Sequence, residues 1–282
     1  MATRNLEFNG ITGSVREEGA GEPLVLLHSS TGSNKQWTPA FETFRDQFRV
    51  IAPDLYGYGG TDPWPGCGAP ALVDEAALVE AAISHLRGPV HVVGHSYGGA
   101  VALNMALRNS GRVRSLCLIE PVAFNTLSGG GPDEDNLLAE VTRLARDIIE
   151  NQHLGRSNGA ARSFADYWSG DGTFSAMPAD KRRKLALQMH KVALDFHATT
   201  VEPTPLSAYR RIEVPTLILC GTHSPKPTRH ITRLLADVIP DAHHRTIPWA
   251  GHLLPITHPV HVNAAIGTHL MRTLTAPSRE AA

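Results

Sequence analysis

Ser96 has the surroundings that prescribe chemistry most plainly. It stands at the centre of Gly94-His95-Ser96-Tyr97-Gly98, with the apolar run Val90-His-Val-Val93 leading straight into it and small residues leaving it. A strand that turns at once into a helix holds the residue at its apex in a strained backbone conformation and lifts that side chain above the sheet edge. A Cβ at Gly94 or Gly98 would crowd the neighbouring elements, which glycine avoids. The positive end of the following helix lowers the cost of an oxyanion beside the serine. A serine hydroxyl becomes nucleophilic near neutral pH only with a base within hydrogen-bond reach. The chain holds 15 histidines, so the base has to be chosen by its setting.

Such a site needs a scaffold, and the sequence describes one. Short apolar runs at 24–27, 50–52, 90–93, 113–119 and 216–220, with a weaker one at 244–247, are bounded by Gly, Pro or polar residues. Continuous apolar runs of this length suit strands buried on both faces of a parallel sheet. Residues 6–16 suggest two short antiparallel strands ahead of the turn at 19–23. Helical spacing appears at 74–86, with Gly88 as a C-cap, and at 100–108, 228–238 and 260–273. Strand and helix in alternation imply an α/β fold with a mostly parallel sheet. The alternation breaks between Pro121 and Ile212, where 137–149 and 181–196 are helical in spacing and no strong strand run occurs. This divides the chain into a core of 1–121 and 213–282 and a helical insertion of 122–212. Phe164, Tyr167, Trp168, Phe174 and Phe196 gather in the insertion. They form a small core of its own, or some of them line an apolar cavity.

Along nearly its whole length the chain resembles the α/β-hydrolase superfamily. The resemblance is carried by the Gly94–Gly98 motif, by Leu26-Leu-His-Ser-Ser-Thr-Gly-Ser33 followed by Trp37, and by Ala52-Pro-Asp-Leu-Tyr-Gly-Tyr-Gly-Gly-Thr-Asp62. It implies an eight-stranded, mostly parallel sheet flanked by helices, with residues 122–212 as a helical cap. It also implies an oxyanion hole made by the backbone N–H groups of Ser30 and Tyr97, although this chain reads His28-Ser29 where the family usually has His-Gly. The base it implies is His252, in Pro248-Trp-Ala-Gly-His-Leu-Leu-Pro255, after the last strand and before the last helix. The rival, His258, precedes a proline and more naturally starts the final helix. In most members an aspartate after the seventh strand orients that histidine. Here Ser224 stands in its place, and no Asp or Glu occurs between Glu213 and Asp237. Glu120, at the carboxyl end of the sixth strand and on the same sheet edge as Ser96, is the alternative acid. The expected pocket residues are His28, Ser29, Trp37, His95, Trp168 and Phe174.

The whole-chain numbers narrow the rest. With 26 basic and 27 acidic side chains in 282 residues, no basic surface points to nucleic acid or to an anionic membrane. The N-terminus lacks the basic and apolar regions of a signal peptide, and the three cysteines are sparse, so cytoplasm is the expected compartment. No metal-ligand spacing or dinucleotide fingerprint occurs, so no cofactor is expected. Gly57-x-Gly59-Gly60 leads into Thr-Asp-Pro rather than a helix and reads as a turn. A serine argues against the haloalkane dehalogenases and epoxide hydrolases of this fold, which use aspartate. The expectation is hydrolysis of a small or medium apolar carboxylic ester by Ser96, His252 and Glu120, in a monomer or homodimer whose partner is a small-molecule substrate. The same triad also suits C–C bond, lactone or thioester hydrolysis. A non-hydrolytic receptor or a cofactor-free oxygenase on this scaffold is the reading from a different class.

Overall fold

The computed structural model describes residues 2–275. Its strands are β1 (Ala2–Phe8), β2 (Ile11–Glu18), β3 (Glu22–Leu27), β4 (Phe48–Pro53), β5 (Val90–His95), β6 (Val113–Ile119), β7 (Thr216–Gly221) and β8 (Ala242–Ile247). They form one sheet in the order β1-β2-β4-β3-β5-β6-β7-β8. β2 runs antiparallel to both β1 and β4, and every other pairing is parallel. The β1–β2 connection is the two-residue turn Asn9-Gly10, with φ of 48° and 78°. Both central residues of a type I′ turn need positive φ, and Asn-Gly is the pair that tolerates it best.

Every residue of β5 and β7 is buried, as are Leu24–Leu27 of β3. That is why these segments are continuously apolar. β8 lies at the sheet edge, with His243, His244, Arg245 and Thr246 exposed, which accounts for its weak sequence signal. β3 pairs with β4 on one side and β5 on the other, so the strand order reverses there. Loops after the carboxyl ends of strands at such a switch point enclose a crevice.

The helices are α1 (Thr38–Phe44), α2 (Leu72–Ala82), α3 (Tyr97–Arg108), α4 (Pro132–His153), α5 (Ser157–Ser169), α6 (Thr173–Ala176), α7 (Ala179–Thr200), α8 (Lys226–Val238), α9 (Leu254–Thr257) and α10 (Pro259–Thr275). One apolar core packs α2, α3 and the helices that follow β6 against one face of the sheet, and a second packs α1 and α10 against the other. α4 to α7 lie between β6 and β7, and α4, α5 and α7 pack on one another. Phe196 of α7 stacks on Phe124 beyond β6, with ring centroids 5.8 Å apart and planes 6° apart. Among the described residues no helix is long and apolar enough to cross a membrane.

One helix departs from the pattern reading. α2 covers 72–82 rather than 74–86, and Gly88, at φ 78°, belongs to the loop before β5 rather than to a C-cap. The reason lies in Arg112, whose guanidinium donates to the carbonyls of Ile83 (2.7 Å) and Leu86 (3.1 Å). These carbonyls are satisfied without further helical turns.

Candidate active site

Three strand ends converge on one hydrogen-bonded series. Ser96 follows β5 and caps α3 with φ 55° and ψ −116°. Its Oγ lies 2.9 Å from His252 Nε2, and His252 Nδ1 lies 2.6 Å from Glu120 Oε2. Glu120 follows β6 directly and also has positive φ, 46°. His252 sits in the loop between β8 and α9. Hydroxyl, imidazole and carboxylate in this order allow the imidazole to take the hydroxyl proton while the carboxylate fixes its tautomer, Nδ1–H toward Glu120. His252 and Glu120 are both buried. The pairing therefore works in a medium that strengthens it.

The turn at Ser96 is possible only because glycine surrounds it. A Cβ on Gly94 would stand 2.3 Å from the Gly98 carbonyl oxygen, and one on Gly98 would stand 2.4 Å from that of Leu27. α3 therefore packs directly against the backbone at the end of β3. Of the five non-glycine residues with positive φ among the described residues, Thr31, Ser96, Glu120 and Trp249 lie in the loops at this sheet edge, and Asn9 alone is in the distant hairpin. Strain of this kind persists where the surrounding structure enforces it.

Ser224, at the position where an aspartate was the usual expectation, has a different task. Its Oγ donates to Glu120 Oε1, which also accepts the Gly221 N–H at 2.6 Å. The β7 loop thus holds the carboxylate that it does not itself supply. His252 is further fixed through its backbone. Its carbonyl bonds His95 Nε2 at 2.8 Å, and His95 Nδ1 meets Gln36 Nε2 at 3.1 Å. Gln36 Oε1 in turn accepts the Ser29 N–H (3.2 Å) and Oγ–H (2.9 Å). Burial, reinforced by the neighbouring His252 ring, holds His95 well below the usual histidine range. It therefore serves as a neutral bridge from Nε2–H to Nδ1.

A cavity of about 120 Å³ opens beside Ser96. Ser29, Ser30, Thr31, Tyr97 and Leu253 line its core side, and Phe164, Trp168, Leu185, Asp195 and Phe196 line the side formed by α5 and α7. Trp168 stacks on the His252 ring, with centroids 3.9 Å apart and planes 26° apart. Of the six residues expected in the pocket, the structure places Ser29 and Trp168 in its wall. The other four lie elsewhere. Trp37, just before α1, is buried in the second core beneath β3 and β4. Phe174 packs inside the insertion with Asp166 capping its amide. His95 is committed to Gln36 and His252. His28 is committed to Leu55, whose N–H it accepts at 3.0 Å, and to the Ser29 carbonyl at 2.8 Å. His258, the alternative base, bonds Thr257 on the surface. Asp195, Lys191, Glu75 and Gln36 were not anticipated, because no local motif marks them. Among the described residues no group of three or more His, Cys, Asp or Glu side chains is arranged to hold a metal ion.

The family model described as Alpha/beta hydrolase family matches residues 24–266. The chain belongs to this family. Among curated relatives of this α/β hydrolase, (E)-2-((N-methylformamido)methylene)succinate hydrolase of Acinetobacter baylyi is 25% identical, over 97% of this chain and 100% of that protein. Among solved structures, a thermophilic esterase from Thermogutta terrifontis superposes with a TM-score of 0.76 at 24% identity, covering 98% of this chain and 100% of that one. The enol-lactonase of Burkholderia xenovorans superposes with a TM-score of 0.71 at 19% identity, covering 95% and 100%. Likeness at these identities establishes the shared fold.

Proposed function

We propose that this α/β hydrolase cleaves a small, uncharged carboxylic ester through an acyl-enzyme on Ser96. The observation that carries the reading is the Ser96–His252–Glu120 series standing at the wall of a closely fitted, mostly apolar cavity. In the proposed cycle Ser96 Oγ attacks the ester carbonyl as its proton passes to His252 Nε2. The oxyanion rests on the N–H groups of Ser30 and Tyr97. Tyr97 opens α3, so its amide is one of those without an intrahelical acceptor. Collapse expels the alcohol with the proton from His252 and leaves the acyl-serine. A water activated by His252 then releases the acid and restores the serine. The helical insertion of 122–212 acts in this scheme as a cap that supplies the apolar wall.

The wall also argues for size and charge. An engineered cavity of roughly 150 Å³ accommodates benzene, so one of about 120 Å³ suits a short acyl chain or a compact ring. Its lining residues include Asp195 and neither lysine nor arginine. A substrate carboxylate would be buried there without a counter-charge, which is costly. That separates this cavity from the (E)-2-((N-methylformamido)methylene)succinate in the name of the Acinetobacter relative, a compound with carboxylates.

The test is turnover of p-nitrophenyl esters of increasing acyl length by the wild type, Ser96→Ala and Glu120→Gln. Wild-type activity peaks on short neutral acyl chains and falls at least about tenfold on a succinyl ester of matched length, since the extra carboxylate finds no partner. Each variant loses on the order of 10³-fold or more in kcat, as removal of a triad member does elsewhere. A folded wild type that is inert on every ester, or a preference for the succinyl ester, overturns the reading.

A further inference from the structure

Behind the cavity wall lies a buried charged cluster that the reaction scheme does not use. Lys191 of α7 donates Nζ–H to Glu75 of α2 at 2.9 Å and also to Asp195, one turn along its own helix. Asp195 Oδ2 accepts the Ser30 hydroxyl at 2.6 Å and the Tyr58 hydroxyl at 2.6 Å. Glu75 Oε1 accepts the Tyr97 hydroxyl at 3.2 Å, and its Oε2 accepts the Tyr56 N–H at 3.2 Å. The Lys191 ammonium also lies over the rings of Tyr97 and Tyr58, 4.7 and 5.1 Å from their centroids. Lys191, Glu75 and Asp195 are all buried.

Burial opposes the Lys191 charge, but Asp195 and Glu75 outweigh it and hold the pKa above the ordinary lysine value. Burial raises Glu75 in turn, helped by the nearby Asp195. It also raises both tyrosines, so their hydroxyls remain donors. A cluster this deep offers little net stability over an apolar replacement. Its connections suggest another role. Of the three side chains whose hydroxyls it holds, those of Ser30, Tyr58 and Tyr97, two belong to the residues whose backbone amides face the developing oxyanion in the scheme above.

Resting on that reading, we propose that Lys191, Asp195 and Glu75 are positioning residues that set the two oxyanion-hole amides and tie their placement to the docking of α7. Ser30 follows β3 in a loop where Thr31 has a φ of 63°, so its amide is aimed by a conformation that the loop must be held in. Asp195 supplies that hold from the insertion side. Tyr97 begins α3 and is held from the core side by Glu75. Lys191 joins the two carboxylates, so displacement of α7 would release both.

The experiment measures kcat, KM and the affinity of an aryl trifluoromethyl ketone, which forms a tetrahedral adduct on the serine, for Ser30→Ala, Asp195→Asn, Tyr97→Phe and the Ser30→Ala/Asp195→Asn double variant. Ser30→Ala removes the link while leaving every charge of the cluster in place and Asp195 Oδ2 with its Tyr58 donor, so it remains informative if Asp195→Asn folds poorly. Ser30→Ala and Asp195→Asn each lower kcat about tenfold with KM within about twofold, the scale expected for a displaced catalytic group, and ketone affinity falls in step. The double variant is no worse than the poorer single variant, because both break one link. Tyr97→Phe, which frees the other amide, adds to either. Unchanged kcat with only a lower melting temperature overturns the inference, and so does a raised KM at unchanged kcat, which would make Asp195 a substrate contact. If turnover and ketone binding in the wild type survive Ser96→Ala, the serine-hydrolase reading fails and this inference fails with it.

Discussion

Glu120 can orient His252 because its two oxygens are divided between tasks. Oε2 takes the imidazole Nδ1–H, while Oε1 is held by the Gly221 amide and the Ser224 hydroxyl. A fully buried carboxylate with every partner in place stays where the imidazole needs it. Trp168 completes the setting from the other side. An aromatic face against a ring that becomes cationic in the transition state of the proposed cycle attracts that charge, by about 1 kcal/mol where the pair still borders an open cavity. Trp168→Leu keeps an apolar cover but removes the π face, and should lower kcat about fivefold at saturating substrate, the rate equivalent of that energy. Trp168→Phe should stay within about twofold of the wild type. Equal losses in the two variants would show that Trp168 serves only to fill space. Ser96, His252 and Glu120 could be nominated from the sequence because each sits in or beside a short segment that ends a strand. Lys191, Asp195 and Glu75 could not. They meet from segments 116 residues apart, and on their own helices they look like ordinary charges at helical spacing.

At the scale of elements, the apolar runs identified the parallel strands because burial on both faces leaves nothing but apolar residues there. β8 is faint in the sequence because an edge strand bears polar side chains, and α2 ends before its spacing suggests because Arg112, from a distant segment, satisfies the Ile83 and Leu86 carbonyls that lie beyond it. The insertion could be read as helical but not oriented. Spacing alone could not separate Trp168, which meets the cavity, from Phe174, which is buried away from it with its amide held by Asp166. The tightest constraint between elements is the contact of α3 with the end of β3. A methyl at position 98 would lie 2.4 and 2.5 Å from the carbonyl oxygens of Leu27 and His28, and these are backbone atoms that cannot swing aside. Gly98→Ala should therefore push β3 and α3 apart, cost about 2–4 kcal/mol of stability as overpacking and strain combine, and move both the Ser96 turn and the Ser30 loop. The prediction is checked by urea unfolding together with kcat. A variant of wild-type stability and activity would mean that the turn at Ser96 has slack that its geometry does not show.

The whole molecule carries an unusual load of buried neutral histidines, distributed from the base of the sheet to the site. His91 of β5 bonds Ser115 at 2.8 Å and stands edge-on to Phe48. His269 of α10 is buried beneath β6. Burial, aided by nearby positive charge, pushes both down to about 4 from an ordinary 6.5. His28 and His95 are lowered as well, chiefly by burial. Between the native and unfolded pKa values the unfolded chain binds protons that the native chain does not, so stability falls as pH falls through that window. For His91 and His269 the window runs from about 6.5 to about 4. Each contributes a slope of up to about 1.4 kcal/mol per pH unit within it. Two such groups together remove up to about 7 kcal/mol across the window, a large part of the stability of an ordinary domain. Urea midpoints measured from pH 7.5 to 4.5 should be level above about 7 and fall steeply below about 6. His91→Gln, which has no proton to gain, should lose stability at pH 7.5 yet show a shallower fall. A midpoint independent of pH across this range would mean that these histidines take up protons in the native sheet as readily as in the unfolded chain, in conflict with their burial.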